Sequence, residues 1–334
     1  MSGPWTWHGG RLDKAREAFG EMPWIDLSTG INPHAWPHAG DVAIDWRELP
    51  SESGLRELEG AAADYFGVDP RHIAALPGTE IGLRLLGDIL PGPARHVWPS
   101  YRTHAEMFRA SDPLAAGDLD NITGGVTVLA NPNNPDGRAI APARLLGHLD
   151  AIAAAGGWLV VDEAFADADP SHSLCPVIGP VIGPVIGDDR PLAIFRSFGK
   201  FFGLAGLRLG FVLGPRALIA DVRARLGAWP VSAAAIAIGT RAYRDGAWIA
   251  GMRERLAQDA AALDAVLRER GYRPLGDCPL FRLIETPDAA ALFERLARRG
   301  ILTRPFDYEP RWLRLGLPGS DAALMRLAEA LDDG

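Results

Sequence analysis

The sequence predicts an α/β protein, with a large domain built on a mostly parallel central sheet and a smaller α+β domain after it. Helical patterns alternate with short β-rich runs from about Leu55 onward, the order that a parallel sheet with crossover helices requires. Three of those runs, GVTVLA, GWLVVDEAF and LAIFRSF, have the length and β-branched content of buried strands. Beyond about Pro215 the pattern changes to long helices rich in alanine, arginine and leucine, separated by short strand-like runs.

Taken in order, residues 1–40 read as an N-terminal arm that joins the small domain and contributes to the functional site. Residues 41–215 form the large domain and 216–334 the small one. GLRELEGAAADYFG reads as an amphipathic helix closed by Gly67, and TEIGLRLLGDIL as another, with Thr79 as N-cap and Pro91-Gly92 as the stop. The tandem VIGPVIGPVIG at 177–187 carries regular Gly-Pro punctuation, which no helix or central strand tolerates, so it reads as a surface loop. In the small domain LFRLIE, ILTR and RWLRLGL are strand-like. Helices are expected from about Asp288 to Arg299 and over DAALMRLAEALDD.

A chain of 334 residues is long enough for two domains and a sizeable core. With 48% hydrophobic and 23% charged residues it has the balance of a folded rather than a disordered chain. A formal net charge of −8 offers no broad basic surface to nucleic acid or to anionic lipid, so any bound anion must meet a local site. MSGPWTWHGG lacks the features of a secretory leader, and no run of about 18 apolar residues suggests a membrane span. Cys175 and Cys278 are too few for a disulfide framework and have no nearby metal-ligating companions. These features lead us to expect a cytoplasmic protein with no metal site.

Each of the three buried strands is followed at its carboxyl end by polar or special residues: Asn131 to Gly137, Asp162-Glu163, and Ser197 to Lys200. In an open α/β sheet that edge is where ligands bind, so three distant segments are expected to converge on one crevice. Within IFRSFGKFFGLAGLRLGF, Lys200 and Arg208 are spaced to serve one small anionic ligand. Read alone, the same segment is equally a solvated loop lysine followed by an edge-strand arginine.

NPNNPDG at 131–137, Asp162 in VVDEAF, Ser197 and Lys200 in SFGK, and Arg208 in GLRLGF resemble, in order and spacing, a known family. It is the fold type I enzymes that use pyridoxal 5'-phosphate, the aspartate aminotransferase superfamily, and the resemblance covers nearly the whole chain. It implies that Lys200 bonds to the cofactor aldehyde and that Asp162 lies beside the pyridine nitrogen and keeps it protonated. The cofactor phosphate would meet the backbone amides of Gly78, Thr79 and Glu80 at a helix start, together with Ser197 and Arg208. Tyr101 matches the aromatic residue against the cofactor face, and Asn134 the residue that bonds its phenolic oxygen. One departure stands out. Many aminotransferases of the superfamily carry a tyrosine where this chain has Phe165, so a hydroxyl is missing and the tuning of the cofactor is expected to differ.

The ends of the chain narrow the resemblance. WHGGRLDKAREAFG followed by WIDLSTGINPHAWP looks like the start of the threonine-phosphate decarboxylases of cobalamin biosynthesis. That implies a carboxy-lyase that converts L-threonine O-3-phosphate to (R)-1-aminopropan-2-ol O-2-phosphate and CO2. His8 and Asn32 would lie near the substrate, Arg314 would meet its carboxylate or phosphate, and Arg311 is a second candidate. Family members are generally homodimers. The alternative is a histidinol-phosphate-type aminotransferase, which shares the cofactor contacts and also takes a phosphorylated substrate. A nicotinamide-binding dehydrogenase would want a strand followed by G-x-G-x-x-G, an order that the glycine clusters here lack.

Overall fold

The computed structural model describes residues 4–90, 92–122, 124–175 and 185–332. Most of the VIGP repeat, residues 177–184, lies outside the described residues. The chain forms two compact units: one of residues 35–134 and 139–250, the other of residues 1–34, 135–138 and 251–334.

The larger unit is built on a seven-stranded sheet. In spatial order its strands are Ile73–Leu76, Gly210–Leu213, Leu192–Ser197, Trp158–Asp162, Val126–Ala130, Ala94–Trp98 and Ser111–Ala115. All run parallel except Gly210–Leu213, which is antiparallel to both neighbours. The three strands expected from their apolar runs occupy the middle, where helices cover both faces and almost every residue is buried. On one face Val126, Val128, Val160, Ala193, Phe195 and Val212 pack with Leu83 and Leu86 of the helix Thr79–Ile89 and with Leu218, Ile219 and Val222 of the helix Arg216–Leu226. On the other face Phe211 meets Phe66 of the helix Glu52–Phe66 and Tyr243 of the helix Ala233–Tyr243.

Two sequence expectations shift. The helices between 216 and 250 were expected in the small domain, yet they complete the core of the large unit, so the division falls near 250 rather than at 215. Thr79 is the first helical residue rather than the cap. Gly78 takes the cap position with φ +88°, a left-handed conformation that favours glycine.

The smaller unit holds a four-stranded antiparallel sheet ordered Arg304–Pro305, Trp312–Gly316, Phe281–Glu285 and Pro274–Leu275. Asp288 caps the helix Ala289–Arg298 by accepting from the amides of Ala290 and Ala291. The amino-terminal arm is stitched to this unit by a short parallel pairing of Ile25–Asp26 with Ile301–Leu302. Among the described residues no helix is long and apolar enough to cross a membrane, and no group of histidines, cysteines and acids is arranged to hold a metal ion.

Candidate active site

In the large unit the carboxyl ends of Val126–Ala130, Trp158–Asp162 and Leu192–Ser197 open into one cavity. Its lining includes Gly78, Thr79, Glu80, Tyr101, Asn134, Asp162, Phe165, Ser197, Lys200 and Arg208. Every large-domain residue expected at the site therefore faces one space, although those residues span 131 positions of sequence. Parallel strands in adjacent register produce this: Asp162 pairs with Ala130 on one side and Phe195 on the other, so all three strands end at the same level.

The anion end of the cavity combines a helix start with a cation. The amides of Thr79 and Glu80 belong to the first turn of the helix Thr79–Ile89 and have no partners within it. Arg208, exposed and in the left-handed region at φ 55°, brings its guanidinium against Gly78. A Cβ built on Gly78 would stand 2.6 Å from Arg208 Nη2. The backbone confines residue 78 to glycine, and any side chain there would also push the Arg208 guanidinium aside.

Asp162 at the base is 5% exposed and fully engaged: Oδ1 accepts from the Ala164 amide at 3.1 Å, and Oδ2 lies 3.1 Å from His104 Nε2. His104 was not singled out from the sequence. It follows Tyr101 by three residues, and its amide donates to the Tyr101 carbonyl at 2.9 Å in the turn that leads into the helix Thr103–Glu106. The Lys200 ammonium sits 5.6 Å from the centroid of the Phe165 ring, so the residue that replaces the expected tyrosine covers the lysine with an apolar face.

The NPNNPDG segment divides its labour. Asn131 staples the loop, its Nδ2 donating to the carbonyls of Ile140 (3.0 Å) and His172 (2.8 Å) while its Oδ1 accepts from the Ile140 amide. Asn133 donates to the Pro99 carbonyl, and Asn134 is left facing the cavity.

Behind the sheet lies a second buried charge group. Arg196 is fully buried and pairs through its two terminal nitrogens with Glu163 and Asp167. Ser173 Oγ and the Leu174 amide also donate to Glu163, at 2.6 and 2.7 Å. Burial alone would lower the affinity of Arg196 for its proton, but Asp167 and Glu163 outweigh it and hold the group well above its ordinary value. Glu163 and Arg196 each adjoin a cavity residue in sequence, Asp162 and Ser197.

The remaining expected residues belong to the small unit. Arg314 is 3% exposed; it donates to the Ser28 carbonyl at 2.9 Å and lies over the Phe281 ring. Burial, with Arg304 adding to it, lowers Arg314 to about 9, so it stays charged at neutral pH. Arg304 is the direct cross-strand partner of Arg314 and was missed from the sequence. No local pattern marks it, because the register of two antiparallel strands sets the pairing. Arg311 is not brought to this place: it is exposed, precedes the strand and pairs with Glu309 at 3.3 Å.

Asn32 is buried and turns the chain by accepting from the His34 amide, and His34 Nε2 is 2.7 Å from Asp259. His8 is exposed beside Trp7. The two glycines after it fit the arm onto Ser28. The Gly10 amide donates to Ser28 Oγ at 2.7 Å, and a Cβ on Gly9 would stand 2.3 Å from the Ser28 carbonyl oxygen.

A family model described as "Aminotransferase class I and II" matches residues 114–331. The chain is 42% identical over 345 residues to the "Threonine-phosphate decarboxylase" of Sinorhizobium sp, covering 99% of this chain and 98% of that one. It is 40% identical to the protein of the same name from Pseudomonas aeruginosa, over 97% of this chain and 96% of the relative. In fold it is similar to the solved structure of histidinol-phosphate aminotransferase from Sinorhizobium meliloti in complex with pyridoxal-5'-phosphate. That match has a TM-score of 0.80 at 21% identity and covers 99% of this chain and 94% of that one.

Proposed function

The chain belongs to the aminotransferase class I and II family, and on that premise we propose that it is a pyridoxal-phosphate-dependent decarboxylase of L-threonine O-3-phosphate. The products are (R)-1-aminopropan-2-ol O-2-phosphate and CO2, which places the enzyme in cobalamin biosynthesis. One observation carries the reading: a primary amine, a buried carboxylate and a helix-start anion site with a guanidinium share the lining of a single cavity. That donor set fits the cofactor, which carries an aldehyde, a basic ring nitrogen and a phosphate and supplies a ring that takes up the electron pair of the bond being broken.

The protein groups have separable tasks. Lys200 would hold the aldehyde end of the cofactor, and its amine would supply a proton to the substrate carbon that loses CO2. Asp162 keeps a proton on the ring nitrogen, and its two hydrogen bonds fix the carboxylate that does so. Gly78, Thr79, Glu80, Ser197 and Arg208 take the phosphate, Tyr101 the ring face and Asn134 the phenolic oxygen. Phe165 offers no hydroxyl to that oxygen, which leaves Asn134 to tune it.

The substrate carries a carboxylate and a phosphate, and we assign Arg314 and Arg304 to these anions, with His8 and Asn32 beside them. Arg304 stands across a strand pair from Arg314 and weakens its hold on its proton, and an anionic substrate would offset that repulsion. In the working cell we take the chain to be a cytoplasmic homodimer. Exposed Trp46, Leu49 and Trp229 in the large unit support the second subunit, and the buried thiols Cys175 and Cys278 suit a reducing compartment.

The test is a product assay on protein purified with pyridoxal phosphate and given L-threonine O-3-phosphate, with and without a 2-oxo acid. CO2 release without the acceptor is the expected result. Turnover only with the acceptor, or only with histidinol phosphate, would replace the decarboxylase with an aminotransferase and leave the cofactor site standing.

A further inference from the structure

Glu80 contributes a backbone amide to the anion end of the cavity, yet its side chain puts a carboxylate into the same lining. A negative charge there opposes the anion that the helix start and Arg208 favour, so the side chain needs a task of its own. Its bonds supply one. Oε2 accepts from the Tyr101 hydroxyl at 2.9 Å and from Thr103 Oγ1 at 2.7 Å, while Oε1 accepts from Arg84 Nε at 2.8 Å. Arg84 is held in turn by Glu106 at 3.1 Å. The carboxylate is thus pinned from three directions, and two of its donors lie on the segment that carries the aromatic ring.

That segment continues to the base of the site. The Tyr101 ring meets His104 edge to face, with centroids 5.8 Å apart and planes at 86°, and His104 reaches Asp162. The ring is fixed by Glu80 and Thr103 at its hydroxyl and by His104 against its edge. Burial pushes the Glu80 carboxyl up, but the bonds from Thr103, Tyr101 and Arg84 outweigh it and hold the group below its ordinary value. Burial and Glu80 both push the Tyr101 phenol up, so the hydroxyl keeps its proton and remains the donor.

We propose that Glu80 is a positioning residue that locks the plane of the Tyr101 ring against the cofactor, coupling the helix start that receives the phosphate to the carboxylate under the ring nitrogen. The inference rests on the reading that this cavity holds pyridoxal phosphate and that Tyr101 faces its ring. It gives the Glu80 side chain a role distinct from that of the Glu80 amide.

The experiment compares wild type, Glu80→Ala, Glu80→Gln, Tyr101→Phe and the double variant Glu80→Ala/Tyr101→Phe. The pyridoxal phosphate Kd is read by quenching of protein fluorescence, ring orientation by the visible circular dichroism of the bound cofactor, and folding by Tm. Glu80→Ala is expected to weaken the cofactor about tenfold and to reduce the dichroic band, the loss of roughly one charge-assisted hydrogen bond. Glu80→Gln, whose amide oxygen still accepts from both hydroxyls, should retain most of the dichroic band. Tyr101→Phe should reproduce the Glu80→Ala defect, and the double variant should be no worse than Tyr101→Phe alone.

A wild-type Kd and dichroic band in Glu80→Ala, or additive losses in the double variant, would overturn the proposal. If Glu80→Ala does not fold, Tyr101→Phe decides: it removes only the hydroxyl that Glu80 and Thr103 hold, and an unchanged Kd and band there overturn the idea equally. Both readouts are taken without substrate. Failure of the substrate reading is seen separately, as absent CO2 release from a wild type that still binds the cofactor.

Discussion

The two units each bury an arginine almost completely, and the two side chains are handled in opposite ways. Arg196, in the large unit, lies between Glu163 and Asp167 and is driven well above its ordinary proton affinity. Arg314, in the small unit, faces Arg304 across a strand pair, leans on a carbonyl and an aromatic ring, and is driven down to about 9. Burial opposes charge at both sites, so the difference comes from the neighbours. A guanidinium supplied with two carboxylates is part of the scaffold. One set beside another cation has its charge opposed by that neighbour, and an added anion would offset the repulsion.

The comparison breaks first at Arg196. Arg196→Met would leave two buried carboxylates without their cation, and the expected loss is about 3–5 kcal/mol of folding free energy, measured by urea unfolding. Adding Glu163→Gln and Asp167→Asn should restore a good part of it. If the single variant is as stable as wild type, Arg196 is not the structural member of the contrast.

Arg314→Met should do the reverse. Stability is expected to stay within about 1 kcal/mol of wild type, because a cation opposing Arg304 has gone. Activity toward L-threonine O-3-phosphate should fall by about 30- to 1,000-fold in kcat/KM, the usual cost of removing one partner of a buried charge pair. A stability loss as large as that of Arg196→Met would erase the distinction between the two sites.

Arg304→Met sharpens the picture on a smaller scale. Arg304 is only partly buried, and about a tenfold rise in KM is expected with kcat little changed. Arg311→Ala is the smallest effect, within about 0.5 kcal/mol in either stability or kcat/KM, since its contact is an exposed pair with Glu309. A defect at Arg311 larger than that at Arg304 would return the substrate anion to Arg311, the second candidate of the sequence reading.

What was legible in the sequence followed from locality. The central strands are announced by apolar runs, and Asp162, Ser197 and Lys200 sit where those runs end, so their convergence follows from the behaviour of parallel sheets. Arg304 was hidden because its significance is a register: nothing within ILTR says that its arginine will face Arg314 rather than solvent. His104 was hidden for a related reason, since the histidine matters only through a carboxylate 58 residues away. The boundary near 215 misled because a change of composition marks where strands give way to helices. Packing decides ownership, and Leu218, Ile219 and Val222 pack into the large sheet's core.

The Ser28 carbonyl joins two things usually considered apart. It receives the Arg314 guanidinium, and Gly9 rests against it so closely that even a methyl group would collide. An alanine at position 9 would therefore announce itself far from its own locus, as altered discrimination among anionic substrates rather than as a weakened arm. With Arg314 as the proposed anion-binding residue, fusing, trimming or randomising the amino terminus would also edit selectivity.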